Sequence, residues 1–289
     1  IQMHFFLNLQ LHKQLLVIVN SRKSAFGLFD LLENNNAFCL TTLLTPNDRK
    51  KHIDEIKKRL DIGEECTVIS TQLIEAGVDV DFPFVYREIA GIDSIVQASG
   101  RCNREGKSKN GVVNIFTASE DKSRKIGHLS QGIEIGKIIM KTYDEVISPE
   151  AISNYFDYIY DITNLDNEKI IDKFVTINSE ACEMQYEYAD AAQKFKMIDN
   201  YQKAIIIPNH VNQLDIDKLK YADYPGQLLN KLQKDTVMVY SYEFERMYND
   251  KKILDVSEGI FVLADYDLYK YKIGLNVFYG NDDDRIYIA

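Results

Sequence analysis

Residues 68–82 read VISTQLIEAGVDVDF, an apolar run followed at once by a polar segment with one glycine and two acids on alternate positions. Thr71 and Gln72 follow the run directly, and Gly77 stands two residues before the first acid, Asp79. In open α/β sheets, ligands bind where the carboxyl ends of the strands meet polar loops. The stretch therefore predicts an α/β fold with a functional loop after this strand.

The rest of the first 120 residues supports the same fold class. The expected strands are Leu15–Val19, Phe38–Leu44, Thr67–Ser70, Phe84–Arg87 and Gly111–Phe116. Helical patterns separate them at Ala25–Leu32, after Pro46 and at Ile92–Arg104. The helix after Pro46 has a hydroxyl residue, Thr45, at its N-cap position and an acid three residues later. Alternation of strands and helices at this spacing predicts a parallel sheet covered by helices.

A second segment, residues 93–106, reads DSIVQASGRCNREG and carries polar residues within an otherwise apolar helical pattern. If the helix continues through it, Gln97, Arg101 and Arg104 project from one face, because they stand at i, i+4 and i+7. Two guanidinium groups beside an amide suit an oxyanion with several oxygens. The alternative is that both arginines pair with surface acids and that Gly77 serves only a turn.

The chain changes character near residue 120. Residues 1–120 carry 14 basic and 15 acidic side chains, whereas residues 121–289 carry 20 and 29, and 17 of the 18 tyrosines lie after residue 120. We therefore expect two domains, at residues 1–120 and 121–289. The acidic balance argues against coating of nucleic acid by bulk charge, although it leaves room for a local basic groove.

The second part is expected to be a helical linker followed by a smaller mixed α+β accessory domain. Helices are expected at Lys122–Ile147, from Pro149 to Tyr160 and at Gly226–Gln233, and residues 161–202 are expected to be helical in pieces. The expected strands are Ala204–Ile207, Thr236–Phe244, Gly259–Ala264 and Tyr266–Ile273, the last three antiparallel. The tyrosines of this part could stack bases or pack within the strands.

Composition excludes several classes of protein. Hydrophobic residues make up 45% and charged residues 27% of the chain, which are ordinary globular values. Apolar runs such as Leu15–Val19 are far shorter than the about 18 residues of a membrane span. The four cysteines, which include Cys182, form no CxxC pair, so neither a zinc site nor a disulfide framework is expected. A cytoplasmic protein with reduced thiols and no membrane partner is the expectation.

The two quoted segments resemble motifs V and VI of superfamily 2 helicases and, more narrowly, those of the CRISPR-associated helicase–nuclease of type I systems. Val19–Arg22 (VNSR) and Leu40–Arg49 (LTTLLTPNDR) resemble motifs IV and IVa of that family. The resemblance covers about residues 10–120 and implies a RecA-like second helicase lobe. Beyond residue 120 it is positional only, where the family continues with a linker and an accessory C-terminal domain.

The resemblance implies a role for each matching residue. It makes Arg104 the arginine finger that reaches the γ-phosphate of ATP, Arg101 its partner on the same phosphate, and Gln97 a residue that helps place the phosphate or the attacking water. Such a finger contributes about 10³–10⁵ in rate. Gly77 would offer a backbone N–H close to the nucleotide, and Asp79 a carboxylate for the ribose hydroxyls.

The resemblance also implies contacts to the phosphates of a single strand. These contacts would come from Ser21, Thr42, Thr71 and Gln72, because hydroxyl and amide groups can track a strand without reading its sequence. The implied cofactor is ATP with Mg²⁺, bound mainly by a preceding lobe. The implied partners are single-stranded DNA, the N-terminal helicase lobe and nuclease domain of the same parent chain, and a CRISPR surveillance complex.

The 289 residues contain no GxxxxGK[ST] phosphate loop, no DExH or DExD box after a strand and no His-Asp nuclease site. We therefore expect the chain to be the back half of a helicase that alone neither hydrolyses ATP nor unwinds. Two rivals stay open. One is another superfamily 2 DNA translocase lobe, and the other is a non-catalytic module that binds a strand or docks a partner.

Overall fold

The computed structural model describes residue 9 and residues 11–32, 36–75, 77–106, 109, 111–117, 127–162, 170–178, 183–195 and 202–280. The strands are β1 Gln14–Ile18, β2 Ala37–Leu40, β3 Cys66–Ser70, β4 Phe84–Glu88, β5 Val112–Phe116, β6 Val175–Asn178, β7 Glu183–Tyr186, β8 Gln202–Ile206, β9 Thr236–Tyr240, β10 Ile253–Ser257, β11 Ile260–Leu263, β12 Tyr269–Lys270 and β13 Gly274–Leu275. The α-helices are α1 Arg22–Leu32, α2 Pro46–Asp61, α3 Ile92–Ser99, α4 Gly127–Thr142, α5 Pro149–Ile162, α6 Ile170–Phe174, α7 Tyr188–Lys194, α8 Gln213–Leu219, α9 Gly226–Leu232 and α10 Ser241–Asn249.

The first five strands form one parallel sheet in the order β2-β3-β1-β4-β5. Strand β1 shows why both faces are covered. Leu15 and Val17 enter one hydrophobic cluster, and Leu16 and Ile18 enter another on the opposite face. Alternate side chains of a strand point to opposite faces, so a strand that is apolar throughout requires packing partners on both sides. The predicted parallel sheet covered by helices is confirmed.

Helix α2 begins where the sequence predicts. The Thr45 hydroxyl accepts a hydrogen bond from the backbone N–H of Asp48 at 3.2 Å, and Pro46 occupies the first turn, where no N–H is needed. The predicted helix start is confirmed.

Helix α3 is shorter than predicted. It ends at Ser99, with Gly100 as its C-cap, instead of continuing to Arg104. The chain then pairs with Phe82, whose N–H donates to the carbonyl of Arg101 and whose carbonyl accepts from the N–H of Asn103, both at 2.9 Å. These long-range bonds replace the next helical turn. The prediction that Gln97, Arg101 and Arg104 share one helical face is therefore wrong.

The second part of the chain differs in detail from the expectation. Helices α4 and α5 pack on α3 in one hydrophobic cluster, and α4 ends at Thr142, earlier than predicted. Residues 122–126 of the predicted helix lie outside the described residues, as does Cys182. The segment predicted to be helical in pieces contains the antiparallel hairpin β6–β7 besides α6 and α7.

A second, mixed sheet has the order β10-β11-β8-β9, in which only β8 and β11 run parallel among its pairs. The strand predicted at Thr236–Phe244 stops at Tyr240, because the Glu243 carboxylate accepts the Tyr240 N–H at 2.8 Å and helix α10 begins. The stretch predicted as a strand at Tyr266–Ile273 is a 3₁₀ turn followed by the two-residue strand β12, which pairs with β13. A smaller mixed α+β unit is confirmed.

One hydrophobic cluster joins the two units. It contains Leu15 and Val17 of the parallel sheet together with Val237 and Val239 of β9 and Leu275 of β13. Backbone bonds cross the same interface, since the Leu275 N–H donates to the carbonyl of Leu43 at 2.9 Å. The boundary near residue 120 stays a prediction. None of the helices in the described ranges combines the length and apolar character that a membrane crossing requires.

Candidate functional site

The residues predicted to contact a strand lie at one edge of the parallel sheet. Ser21 follows β1, Thr42 follows β2, and Thr71 and Gln72 follow β3. Because β2, β3 and β1 are neighbours and parallel, their carboxyl ends meet at the same edge. Thr42 and Gln72 are exposed, whereas Thr71 is buried. Tertiary structure thus groups the four positions, and their roles as nucleic-acid contacts stay predictions.

Ser21 also has a local structural role. Its hydroxyl accepts the N–H of Ser24 at 3.0 Å and lies 2.7 Å from the Ser24 hydroxyl. It therefore caps the start of α1, which lies at the same edge of the sheet. The dipole of a helix favours an anion at its start, which suits this edge to a phosphate.

Arg101 connects the two sequence segments singled out above. Its Nε donates to the carbonyl of Ile74 at 3.0 Å, and its Nη2 donates to the carbonyl of Glu75 at 2.7 Å. Those carbonyls belong to the 3₁₀ turn Gln72–Ile74 and the residue after it. The guanidinium group therefore fixes the loop after β3 against the turn after α3.

Arg104 lies beside the two acids. Its Nη1 donates to Asp79 Oδ1, and its backbone N–H donates to Asp81 Oδ1 at 2.7 Å. The Asp79–Arg104 pair is open to solvent, with 76% and 48% of the two side chains exposed. Gly77 has a φ of +75°, a left-handed conformation that favours glycine, and nothing lies within 4 Å of where its Cβ would be. Backbone conformation rather than crowding thus requires glycine there.

Asp79 and Arg104 border a cavity of about 530 Å³. Its lining comes from the end of α2, the start of β1 and the two loops just described, and includes Lys57 and Asp61. Lys57 and Arg104 supply cations suited to phosphate oxygens, and Asp79 supplies a carboxylate suited to hydroxyl groups. The lining also contains the acids Asp81 and Glu105, so Lys57 and Arg104 are the only cations among its described residues, and the cavity lies by the start of β1, at the end of the sheet opposite its carboxyl edge.

Gln97 lies apart from the arginines in the bonding pattern. It is exposed on α3, and among the described residues no hydrogen bond or ion pair joins it to Arg101 or Arg104. The structure thus brings Asp79 and Arg104 together and connects Arg101 to the loop that carries Gln72, but it does not include Gln97 in the group.

The sequence interpretation missed a buried polar network behind the site. Arg87 at the end of β4 has no exposed side-chain surface, and its Nε lies 2.8 Å from Oε1 of Glu75, which is 4% exposed. Its Nη1 donates to Asn20 Oδ1 and to the carbonyl of Glu88, both at 2.7 Å. Burial raises the pKa of the Glu75 carboxyl, with Arg87 opposing the rise. An arginine inside an otherwise apolar strand was the available signal.

This network reaches both sides of the site. Asn20 precedes Ser21, and its N–H donates to Glu88 Oε2 at 2.8 Å. The backbone carbonyl of Glu75 accepts a hydrogen bond from Arg101, and its carboxylate pairs with Arg87. The loop after β3 is therefore held by two arginines, one from each neighbouring element.

Residues 12–107 match the family described as CRISPR-associated nuclease/helicase Cas3, C-terminal. The CRISPR-associated nuclease/helicase Cas3 of Methanothermobacter thermautotrophicus is 34% identical over 137 residues, which cover 46% of this chain and 16% of that protein. The protein of the same name from Haloferax volcanii is 36% identical over 146 residues, which cover 41% of this chain and 16% of that protein. The matches thus span about a sixth of the length of these relatives.

Solved structures extend the likeness to most of the chain. A crystal structure of T. fusca Cas3 covers 91% of this chain and 37% of that one, with a TM-score of 0.61 and 12% identity. The structure described as T. fusca Cas3-ATP gives the same coverage, with a TM-score of 0.56 and 12% identity. A structure described as a CRISPR RNA-guided surveillance complex, pre-nicking, covers 87% of this chain and 37% of that one, with a TM-score of 0.50 and 13% identity. At these identities the likeness establishes the fold, a RecA-like lobe followed by an accessory unit.

Proposed function

Because residues 12–107 match the family described as CRISPR-associated nuclease/helicase Cas3, C-terminal, we propose that this chain is the second motor lobe of an ATP-dependent single-strand DNA translocase in CRISPR interference. The observation that carries the proposal is the cavity in which Asp79 and Arg104 meet, with Arg101 bonded to the loop behind it. The proposed division is a helicase lobe at residues 1–120 and a helical linker with an accessory domain at residues 121–289.

In this proposal Arg104 is the arginine finger. Exposed ion pairs such as Asp79–Arg104 contribute at most about 1 kcal/mol, so the guanidinium group can exchange its carboxylate partner for phosphate oxygens at little cost. Asp79 is then released to accept hydrogen bonds from ribose hydroxyls, near the Gly77 N–H. ATP supplies the γ-phosphoryl group whose hydrolysis drives movement, with Mg²⁺ held mainly by the first lobe.

The other two proposed catalytic residues act beside the finger. Arg101 would approach the same phosphate while its Nε and Nη2 hold the loop after β3. Phosphate binding would then affect the position of that loop. Gln97 would help place the phosphate or the attacking water. Its exposure on α3 leaves the amide free to do so once a facing lobe is present.

The strand is proposed to run along the carboxyl edge of the sheet. Ser21, Thr42, Thr71 and Gln72 would contact its phosphates, assisted by the first turn of α1. The remaining proposed partners are the N-terminal helicase lobe, a nuclease domain and a CRISPR surveillance complex. The structural likeness to a surveillance-complex component supports the last of these.

The test is strand-stimulated ATP hydrolysis by the full-length Cas3 protein that carries this segment. We expect Arg104→Ala to lower kcat by about 10³-fold or more while nucleotide binding is retained. Arg104→Lys is expected to restore little, because lysine lacks the planar fork. Lys137→Ala is a matched control, since Lys137 is a similarly exposed cation paired with Glu134. Turnover that is unchanged in Arg104→Ala would refute the motor-lobe proposal.

A further inference from the structure

The accessory unit meets the carboxyl edge of the parallel sheet at the junction of β9 and α10. Arg22, the residue after Ser21, places its Nη2 2.7 Å from Glu243 Oε1. The same guanidinium group lies 4.3 Å from the ring centroid of Tyr240. Glu243 is buried and also accepts the Tyr240 N–H at 2.8 Å, so the junction is held in one position. The end of β9 is thus fixed next to the proposed strand track.

Two exposed aromatic rings extend from this junction. Tyr240 and Tyr242 are stacked, with ring centroids 5.7 Å apart and an interplanar angle of 16°. Tyr240 is 40% exposed and Tyr242 68% exposed. The Tyr242 hydroxyl donates to Glu243 Oε1 at 3.3 Å, which restrains the ring while leaving most of its surface open. An arginine and two phenol rings therefore form one ordered group at the surface.

Other exposed tyrosines also have ring or cation partners, such as Tyr186 with Tyr188 and Tyr271 with Lys51, but their rings are not stacked on a second tyrosine. Tyr221 and Tyr224 are more exposed, yet neither ring contacts another ring or a cation within the described ranges. Strand β9 lies at the edge of its sheet, and its side chains Met238 and Tyr240 are exposed. The stacked pair is therefore distinguished by its position beside Arg22, the residue after Ser21.

We propose that Tyr240 and Tyr242 form a stacking site for the bases of a single strand that leaves the sheet edge at Ser21. The inference rests on the proposed function, because the strand must first lie along that edge. The charge of this part of the chain favours stacking over phosphate contact, since residues 121–289 carry nine more acidic than basic side chains. Aromatic rings bind bases without positive charge and tolerate any sequence.

The test measures binding of a fluorescein-labelled 20-nucleotide thymidine strand to the full 289-residue chain by anisotropy. Tyr242→Ala is expected to raise Kd by about 5- to 150-fold, which corresponds to the loss of one stacked base. Tyr242→Phe keeps the ring and is expected to bind as wild type does. Tyr224→Ala is the matched control, because it removes an exposed tyrosine outside the group.

Two further readouts separate stacking from phosphate contact. The slope of log K against log salt concentration is expected to be the same in wild type and Tyr242→Ala, since no phosphate contact is removed. The fluorescence of a strand that contains 2-aminopurine is expected to fall when wild type or Tyr242→Phe binds it, but not when Tyr242→Ala binds it. Equal Kd values for Tyr242→Ala and Tyr224→Ala would overturn the stacking site alone. Absence of any strand binding by wild type would overturn both the strand track and this inference.

Discussion

Replacing Arg87 with methionine should destabilise the chain strongly, because it leaves the Glu75 carboxylate buried without its cation. The pair is shielded from water, with 0% and 4% of the two side chains exposed. Removing one member of a buried pair costs about 3–5 kcal/mol, most of it from the remaining uncompensated charge. Arg87→Met also removes the Nη1 hydrogen bonds to Asn20 Oδ1 and to the Glu88 carbonyl, which adds to the loss.

The double variant Glu75→Gln/Arg87→Met tests whether the buried charge is the cause. With the charge removed, only the lost hydrogen bonds remain, and the cost is expected to fall to about 1–2 kcal/mol. The double variant should therefore be about 2–3 kcal/mol more stable than Arg87→Met alone. Lowering the pH should rescue Arg87→Met but not the double variant, which has no carboxyl group at position 75. Burial raises the folded pKa of Glu75 above its unfolded value, so the stability is present at low pH and lost as pH rises through that folded pKa.

Urea unfolding measured by far-UV circular dichroism and by tyrosine fluorescence gives the free energy of unfolding. With an m value of about 3 kcal/mol/M, Arg87→Met should lower the midpoint by about 1–2 M. Lys220→Met is the control, because Lys220 and its partner Asp217 are 47% and 49% exposed and water can solvate the remaining carboxylate, so we expect a loss below about 1 kcal/mol. Equal midpoints for the single and double variants would refute the reasoning. Coincidence of the two signals would show that both units unfold together, since 17 of 18 tyrosines lie after residue 120.

Three further perturbations test the docking of the accessory unit and the core. Burial raises the pKa of Tyr269, so the free energy of unfolding should fall as pH rises above about 10, and Tyr269→Phe should flatten that fall in urea midpoints. Gly274→Ala should lower Tm by at least about 4 °C, because φ is +93° and the new Cβ would lie 2.4 Å from the Leu43 carbonyl oxygen. Gly259 has a similar φ but open space around its Cβ position, so calorimetry should show a smaller drop in Tm for Gly259→Ala than for Gly274→Ala. Burial raises the pKa of Cys66 to about 12, so iodoacetamide at pH 8 should alkylate it only in urea, as mass spectrometry would report.

Much of the fold follows from local patterns in the sequence. The apolar runs that became β1, β3 and β4 are short and continuous, which identifies strands covered on both faces. The Thr45 cap was readable because an N-cap, a proline and an acid act within one turn of chain. The positions of Ser21, Thr42 and Thr71 at one edge also follow, once the sheet is known to be parallel.

Errors arose where a distant residue competed with a local preference. The helical pattern of Ile92–Arg104 continues past Gly100, yet the backbone pairs with Phe82 instead and the helix stops. Likewise Thr236–Phe244 has a strand-like composition, but Glu243 caps a helix at Tyr240 and also binds Arg22 from the other unit. Neither partner can be identified from spacing along the chain.

The sequence by itself determined the α/β class, the strand–helix order and the family of motifs, because these depend on residues a few positions apart. The tertiary structure alone decided how the motifs meet. Arg101 binds carbonyls 26 and 27 residues away, Arg87 binds Glu75 inside the sheet edge, and Arg22 binds Glu243 across 221 residues. Such contacts are selected by burial and charge pairing in three dimensions, where a charge is stable only beside a partner that the folded chain brings to it.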